Sequence, residues 1–557
     1  MVSLLEGAVY FGLALCAALA VPLVVTFCVR ALVHGSAAHR QQCRERAARA
    51  TWPDTAGGRE VRYVGFFHPY PNAGGGGERV LWTMIKAIQD RYPFVVCVIY
   101  SGDAVPRDEL VRNARRLFGL DISTDTVHVV ELSWRWWVDH KFPRLTMLMQ
   151  SLGSIALAAQ AIRRFCPDVF VETVGFAFTY PLVDLVAPDV PIVAYTHYPT
   201  ISSDMQTAVS SRETGVNNDS AIAGSEVLSS LKSAYYTVFA QMYAFAGGFA
   251  SAVMTNSSWT QAHIVQLFGR PRITSIVYPP CDTSALLELS PDGRAPFVVS
   301  LAQFRPEKNH RLQLDAFAEF LRSHPDQVLP SDEKKPAVES LLSSAAEHPE
   351  SPLCKHPALV MLGGARNIDD EARAEALRQT ADALGIGRQV HVVTNAPWGQ
   401  VLRWLRHGKL GLHTMRDEHF GIGVVEMMAA GLLTVAHDSA GPRMDIVTPA
   451  VRCADGRPAM PSDDAARAFL AAAAATPAES QTFPVGMVAQ TAAEFAQMIA
   501  AGLAATGPVE AAMRTAARAA ASTRFSEAAF RASFYSRFDP VVRWLDRNNA
   551  AGDATSS

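Results

Sequence analysis

The sequence predicts an α/β protein of two doubly wound domains preceded by a membrane-spanning helix, and three observations carry that prediction. Short apolar segments of strand length alternate with segments of helical length, the pattern of a mostly parallel sheet covered by helices. The alternation stops near residue 285 and starts afresh at Pro296. A run without a charged residue extends from Gly7 to Val29. A chain of 557 residues also exceeds what one hydrophobic core ordinarily supports, so two large domains with appendages are expected on size alone.

The uncharged run, GAVYFGLALCAALAVPLVVTFCV, has 23 residues, and at about 1.5 Å per residue such a helix crosses a hydrocarbon layer of about 30 Å. It is long for the apolar core of a signal peptide and leads into no convincing cleavage site. Arg30, Arg40, Arg44, Arg46 and Arg49 follow it, opposed only by Glu45. That excess of positive charge places the downstream chain in the cytosol behind a single-pass anchor. A cleaved signal and a buried helix are the competing readings.

In the first domain, VRYVGFFHPYP from Val61 reads as a strand entering a loop, and GGGGERVLWTMIKAIQ opens the helix that follows. Phe94–Gly102, Val127–Leu132 and the segments around Val169 and Val193 add four strands. The second domain begins with PFVVSLAQFRPEKNH and continues through Ala358–Gly364, Val390–Ala396, Lys409–Met415 and Gly431–Ser439. Residues 332–357 lack strand alternation and read as a surface insertion. The expected boundaries are 1–57 for the anchor and basic linker, 58–290 and 291–520 for the two α/β domains, and 521–557 for a C-terminal helix and tail. Two regions, Ser133–Ile162 and Tyr235–Thr255, combine aromatic and apolar residues; both fit either core helices or contact with a bilayer interface.

Composition narrows the function. With 50 Lys+Arg against 53 Asp+Glu, the chain is no general polycation, and a nucleic-acid partner is not expected. Cys16, Cys28, Cys43, Cys97, Cys166, Cys281, Cys354 and Cys453 are scattered without CxxC spacing, which suits reduced structural thiols better than a zinc site or a disulfide framework.

Chemistry concentrates in a few loops at predicted strand ends. The glycines of HPYPNAGGGGERV, with Gly75, Gly76 and Gly77 entering the helix, allow close backbone approach and present amides to an anion or sugar. They match neither the spaced dinucleotide fingerprint nor a P-loop. In QFRPEKNH, Arg305 and Lys308 are charge-assisted donors suited to a diphosphate. In EHFGIGVVEMMAAG, Glu418 precedes an apolar run that encloses Glu426, and burying an unpartnered carboxylate there would be costly. Phe420, Gly421, Ile422 and Gly423 supply a flexible backbone whose amides can orient a ligand. THYPTIS places His197 at a strand end, where it reads either as a structural histidine or as a donor to a reacting hydroxyl.

Taken together, these motifs resemble the family-4 retaining glycosyltransferases, whose E-x7-E pattern is met by Glu418 and Glu426. More narrowly, HPYPNAGGGGERVLW, YTHYPTIS, NSSWT, QFRPEKNH, GLHTMRDEHFGIGVVEMMAAG and AHDSAGP are similar to the alpha-1,2-mannosyltransferases of the asparagine-linked glycan pathway that extend dolichyl-diphosphate oligosaccharides. The resemblance implies a GT-B fold, with two Rossmann-like domains facing a cleft, and GDP-mannose as donor substrate with no essential metal. It implies a Man3GlcNAc2-diphosphodolichol acceptor extended twice at the cytosolic face of the endoplasmic reticulum (ER) membrane, and association with other early lipid-linked glycan mannosyltransferases. It makes His197 a reaction-centre residue and Glu418 a ligand of the donor mannose, the two catalytic positions, with Glu426 the ribose ligand and Arg305 and Lys308 the diphosphate ligands. Where many relatives carry arginine five positions before the lysine, this chain has Gln303.

Overall fold

The computed structural model describes residues 55–56, 59–139, 142, 145–202, 205, 209–212, 224–347, 351, 354–454, 456–475 and 483–555. Two compact units emerge. Of the described residues, the first comprises those up to Asn256, Thr260–Val277 and those from Arg531 onward; the second comprises Ser257–Trp259 and those within Tyr278–Phe530.

The first unit is built on seven strands: β1 Arg62–Phe67, β2 Val95–Ser101, β3 Val127–Glu131, β4 Val169–Glu172, β5 Ile192–Thr196, β6 Ala252–Thr255 and β7 Thr274–Ile276. They lie in the order β3-β2-β1-β4-β5-β6-β7, and every pairing is parallel. The order reverses beside β1, which is buried along its whole length, and ligands of such sheets gather at the carboxyl strand ends near that point. Helix α1, Gly76–Arg91, follows β1. Helix α2, Thr146–Arg164, and helix α3, Glu226–Gly247, cover the sheet. Leu148, Ile155, Leu157, Ala158 and Ile162 of α2, and Tyr236, Phe239 and Tyr243 of α3, belong to one core with Phe170 and Ile192. Core packing thus accounts for α2, whereas α3 buries one face and leaves Val227, Val238 and Phe245 exposed.

The second unit repeats the plan with β8 Ala295–Leu301, β9 Ala358–Gly363, β10 Val390–Thr394, β11 Gly408–His413, β12 Leu433–His437, β13 Ala450–Val451 and β14 Gly486–Ala489. Their order is β10-β9-β8-β11-β12-β14-β13, again all parallel. Helix α4, His310–Ser323, follows β8, and the short helix α5, Ile422–Ala429, lies between β11 and β12. The stretch expected to be a surface insertion contains the helix Val338–Glu347, whose Leu341, Leu342 and Ala345 join the core of this unit.

Helix α6, Glu527–Thr555, closes the chain. In the first unit its Asp539 accepts from Arg91 Nη2 at 2.7 Å and from the Tyr92 hydroxyl, while Tyr535 donates to the Ala87 carbonyl at 3.0 Å. The C-terminal helix is thereby fastened along α1.

One expectation is corrected here. Among the described residues no helix is long and apolar enough to cross a membrane, which overturns the expected transmembrane helix for that part of the chain and takes the structural basis from the placement behind a single-pass anchor in the ER membrane. The segment on which both rested, Gly7–Val29, lies outside the described residues. The long helices that are described carry charge or expose polar faces: α2 ends in Arg163 and Arg164, and α3 carries Glu226 and Lys232.

Burial sets an acid limit on the second unit. It pushes the imidazoles of His310 and His391 down to about 4 from the ordinary 6.5, so the folded state holds both neutral while the unfolded chain takes up protons. Stability from these groups is full above about pH 6.5 and falls as the pH drops toward 4, by up to about 3 kcal/mol for each histidine. Thermal melts between pH 7 and pH 4 check this: the midpoint should fall steadily across that window, and His391→Asn should shorten the fall.

Candidate active site

In the second unit, chemistry gathers where β8 and β11 end. The chain leaving β8 forms a single 3-10 turn, Pro306–Lys308, and passes through Asn309 at φ 49° before α4 begins. The Thr414 hydroxyl donates to the carbonyls of Lys308 and Asn309 at 3.2 and 3.0 Å, which ties this turn to the chain leaving β11. Lys308 Nζ then bonds Glu418 Oε2 directly and lies 3.2 Å from Met415 Sδ. His413 Nε2 donates to the same carboxylate oxygen at 3.1 Å.

Glu418 therefore answers the question posed by a carboxylate in an apolar run, and the buried one is not Glu426. Glu418 is 9% exposed, while Glu426 stands half-buried on α5. Burial pushes the Glu418 carboxyl up, but the His413 hydrogen bond and the Lys308 ammonium outweigh it and hold the group well below the usual carboxylate range.

The remaining predicted residues of this unit divide by what the backbone does with them. Phe420 is a core side chain, with ring centroids 5.7 Å from Tyr278 and 5.5 Å from Phe525, so only its backbone is available to a ligand. Gly421 takes φ +112° at the start of α5, and a Cβ on Gly423 would stand 2.8 Å from the Leu301 carbonyl oxygen at the end of β8. Ile422 opens α5 and is half-buried. Arg305 is 40% exposed and pairs loosely with Glu307 at 3.8 Å, so it is not drawn into the Lys308–Glu418 cluster. Asp445, in the turn after β12, has a carboxylate that accepts from the Ser258 amide at 2.9 Å and the Tyr278 hydroxyl at 2.8 Å.

The close approach at Gly423 is testable. Gly423→Ala must push α5 away from β8, and overpacking of this kind costs about 1–3 kcal/mol. A lower melting temperature together with weakened GDP binding is expected; a variant with wild-type values for both would show that α5 tolerates displacement.

The first unit places its predicted residues at the ends of β1 and β5. Gly75 caps α1, with Gly76 and Gly77 in its first turn. Glu78, from that same turn, accepts the Gly75 amide and takes a hydrogen bond from His68 Nε2 at 3.3 Å. His68 Nδ1 is 2.7 Å from the Thr173 hydroxyl after β4. Burial pushes the Glu78 carboxyl up, but the His68 hydrogen bond and the Gly75 amide pull it below the ordinary range. Part of the amide capacity expected of the glycine run is thus already used inside the protein. His197 follows β5, half-buried, its ring 4.9 Å from that of Tyr195. A Cβ on Gly77 would come within 3.6 Å of its Nε2, so the glycine run and the histidine occupy one place.

Sequence reasoning missed His413, His68 and Glu78. All three lie inside motifs quoted above, but an isolated histidine in an apolar strand and a glutamate in a first helical turn carry no signal beyond their neighbourhood.

A family model described as the ALG11 mannosyltransferase N-terminus matches residues 61–268, and one for glycosyl transferases group 1 matches residues 333–471. The GDP-Man:Man(3)GlcNAc(2)-PP-Dol alpha-1,2-mannosyltransferase of Homo sapiens is 42% identical over 398 residues, covering 70% of this chain and 75% of that protein. The chain belongs to this alpha-1,2-mannosyltransferase family. The Dictyostelium discoideum member is 40% identical over 393 residues, 69% of this chain and 73% of its own length. Among solved structures, the Thermosynechococcus elongatus sucrose-phosphate synthase aligns with a TM-score of 0.53 at 12% identity over 86% of this chain and 99% of that one. Anabaena Alr3699/HepE in complex with UDP aligns at 0.52 and 16% identity, over 86% and 100%. These two likenesses concern the fold alone. Membership of the mannosyltransferase family makes the chain a glycosyltransferase, and each unit carries one seven-stranded parallel sheet, consistent with a GT-B-like fold.

Proposed function

We propose that the chain transfers mannose from GDP-mannose to Man3GlcNAc2-PP-Dol in alpha-1,2 linkage, twice in succession and with retention. The cluster in which the half-buried Lys308 and the buried His413 meet on Glu418 is the observation that carries this reading. A lysine and a glutamate drawn from loops 110 positions apart cost desolvation that packing alone does not require, whereas a sugar diphosphate needs both an ammonium and a hydroxyl acceptor.

In this reading Lys308 holds the diphosphate and stabilises the charge that grows as the bond to the sugar lengthens, a contribution made chiefly in the transition state. Glu418 accepts from a mannose hydroxyl, Glu426 accepts from the ribose, and amides of the Phe420–Gly423 stretch orient the donor. Arg305, exposed beside Glu307, is the less direct diphosphate contact. His197, beside Gly77, serves the reacting hydroxyl on the first unit. The acceptor hydroxyl attacks from the face that the diphosphate leaves and passes its proton to the departing phosphate, so configuration is kept without a covalent glutamate intermediate. No step draws on a metal, and full activity in excess EDTA is the expected result.

The acceptor's lipid brings the reaction to a bilayer surface, and association with other early lipid-linked glycan mannosyltransferases belongs to the same reading; co-purification checks it. The deciding experiment supplies purified protein with GDP-mannose and Man3GlcNAc2 on a lipid diphosphate. Two sequential products with alpha-1,2 linkages are expected. A folded protein that transfers nothing to a competent acceptor overturns the reaction, and transfer from a different nucleotide sugar alone overturns the donor.

A further inference from the structure

The two oxygens of Glu418 are not equivalent. Oε2 accepts from both Lys308 and His413, whereas Oε1 takes no hydrogen bond among the described residues. The two donors also differ in kind. Lys308 reaches the carboxylate on a flexible four-carbon stem and is free to turn toward another anion. His413 is 3% exposed at the end of β11, where its backbone is set in register with Ala436 of β12. A side chain so enclosed stays in place when the lysine is drawn to a ligand.

We infer that His413 is a positioning residue for sugar transfer: by holding Oε2 of Glu418 it leaves Oε1 as the oxygen that accepts from a hydroxyl of the donor sugar. The inference rests on the reading of Glu418 as the mannose ligand. In the bound state, Lys308 Nζ turns to the diphosphate and His413 Nε2 becomes the donor that keeps the Glu418 carboxylate from rotating. No bond is made or broken at His413; it sets the orientation of its neighbour.

His413→Leu removes the donor, and His413→Gln restores an amide donor of similar reach. With the leucine variant, affinity for GDP should stay within about twofold of wild type, because GDP lacks the sugar. The preference for GDP-mannose over GDP should vanish, and kcat/KM for GDP-mannose should fall about 10- to 100-fold, the scale of one hydrogen bond to a charged group. His413→Gln should recover most of that loss, and the double variant Glu418→Gln with His413→Leu should be no slower than Glu418→Gln alone. Unchanged kinetics in His413→Leu, or an equal loss of GDP and GDP-mannose affinity, overturns the inference. If the leucine variant does not fold, His413→Gln against His413→Asn decides: an active Gln variant beside an impaired Asn variant supports the role, and equal activity overturns it. Absence of transfer by wild-type protein overturns the proposed reaction instead, while the two binding affinities still report on His413 separately.

Discussion

Lys308→Ala should lower kcat/KM for GDP-mannose by about 100- to 1,000-fold, the scale seen when one preorganised donor to a developing negative charge is removed. The lysine is placed for that task by three contacts: the Glu418 carboxylate, the Met415 sulfur, and the Thr414 hydroxyl that grips its carbonyl. Its loss leaves Glu418 with His413 alone. Breaking a wholly buried pair costs about 3–5 kcal/mol, but the two side chains here keep 21% and 12% exposure and one partner remains. A smaller loss of about 1–3 kcal/mol in stability is therefore expected. Combining Lys308→Ala with Glu418→Gln should return most of that stability and none of the turnover. Normal kinetics in the single variant would remove the diphosphate role. The same cluster gives a sign for pH: because the Glu418 carboxyl is depressed in the folded state, its stabilising effect is present above about pH 4.5 and is lost as the pH falls below that.

His197→Ala should reduce kcat by about 100- to 1,000-fold while leaving GDP affinity within twofold, the pattern of a group that acts on a reacting hydroxyl rather than on the nucleotide. Its position supports this division. His197 lies in the first unit beside Gly77 at the start of α1, whereas Lys308 and Arg305, the proposed diphosphate contacts, lie in the second. An equal rise in KM and fall in affinity would instead make it a binding residue, and wild-type turnover would remove it from the chemistry.

Much of the strand framework was readable because parallel strands buried on both faces are short apolar runs bounded by loops. The segments beginning at Val61, Phe94 and Val127 appear as β1, β2 and β3, and those beginning at Pro296 and Ala358 as β8 and β9. The strands that escaped notice are of a different kind. Ala252–Thr255 is the tail of an apolar aromatic stretch whose helix α3 dominates the pattern, Gly486–Ala489 is four residues long near Ala-rich segments of helical propensity, and Thr274–Ile276 and Ala450–Val451 have only three and two residues. Residues 332–357 misled for a related reason: Leu341, Leu342 and Ala345 recur at helical spacing over too short a span to announce a buried face.

By itself the sequence determined the class of the protein, because the period of apolar residues, the pattern's restart at Pro296 and the spacing of Glu418 and Glu426 are local properties of the chain. Tertiary structure decided which of those glutamates is buried and what compensates it. Glu426, among the more apolar neighbours, is only half-buried, and Glu418 is enclosed because β8 and β11 are adjacent in the sheet and bring Lys308 and His413 to one oxygen. A charge can be buried only where its partners are delivered, and delivery over 110 positions depends on strand order, which no local pattern records.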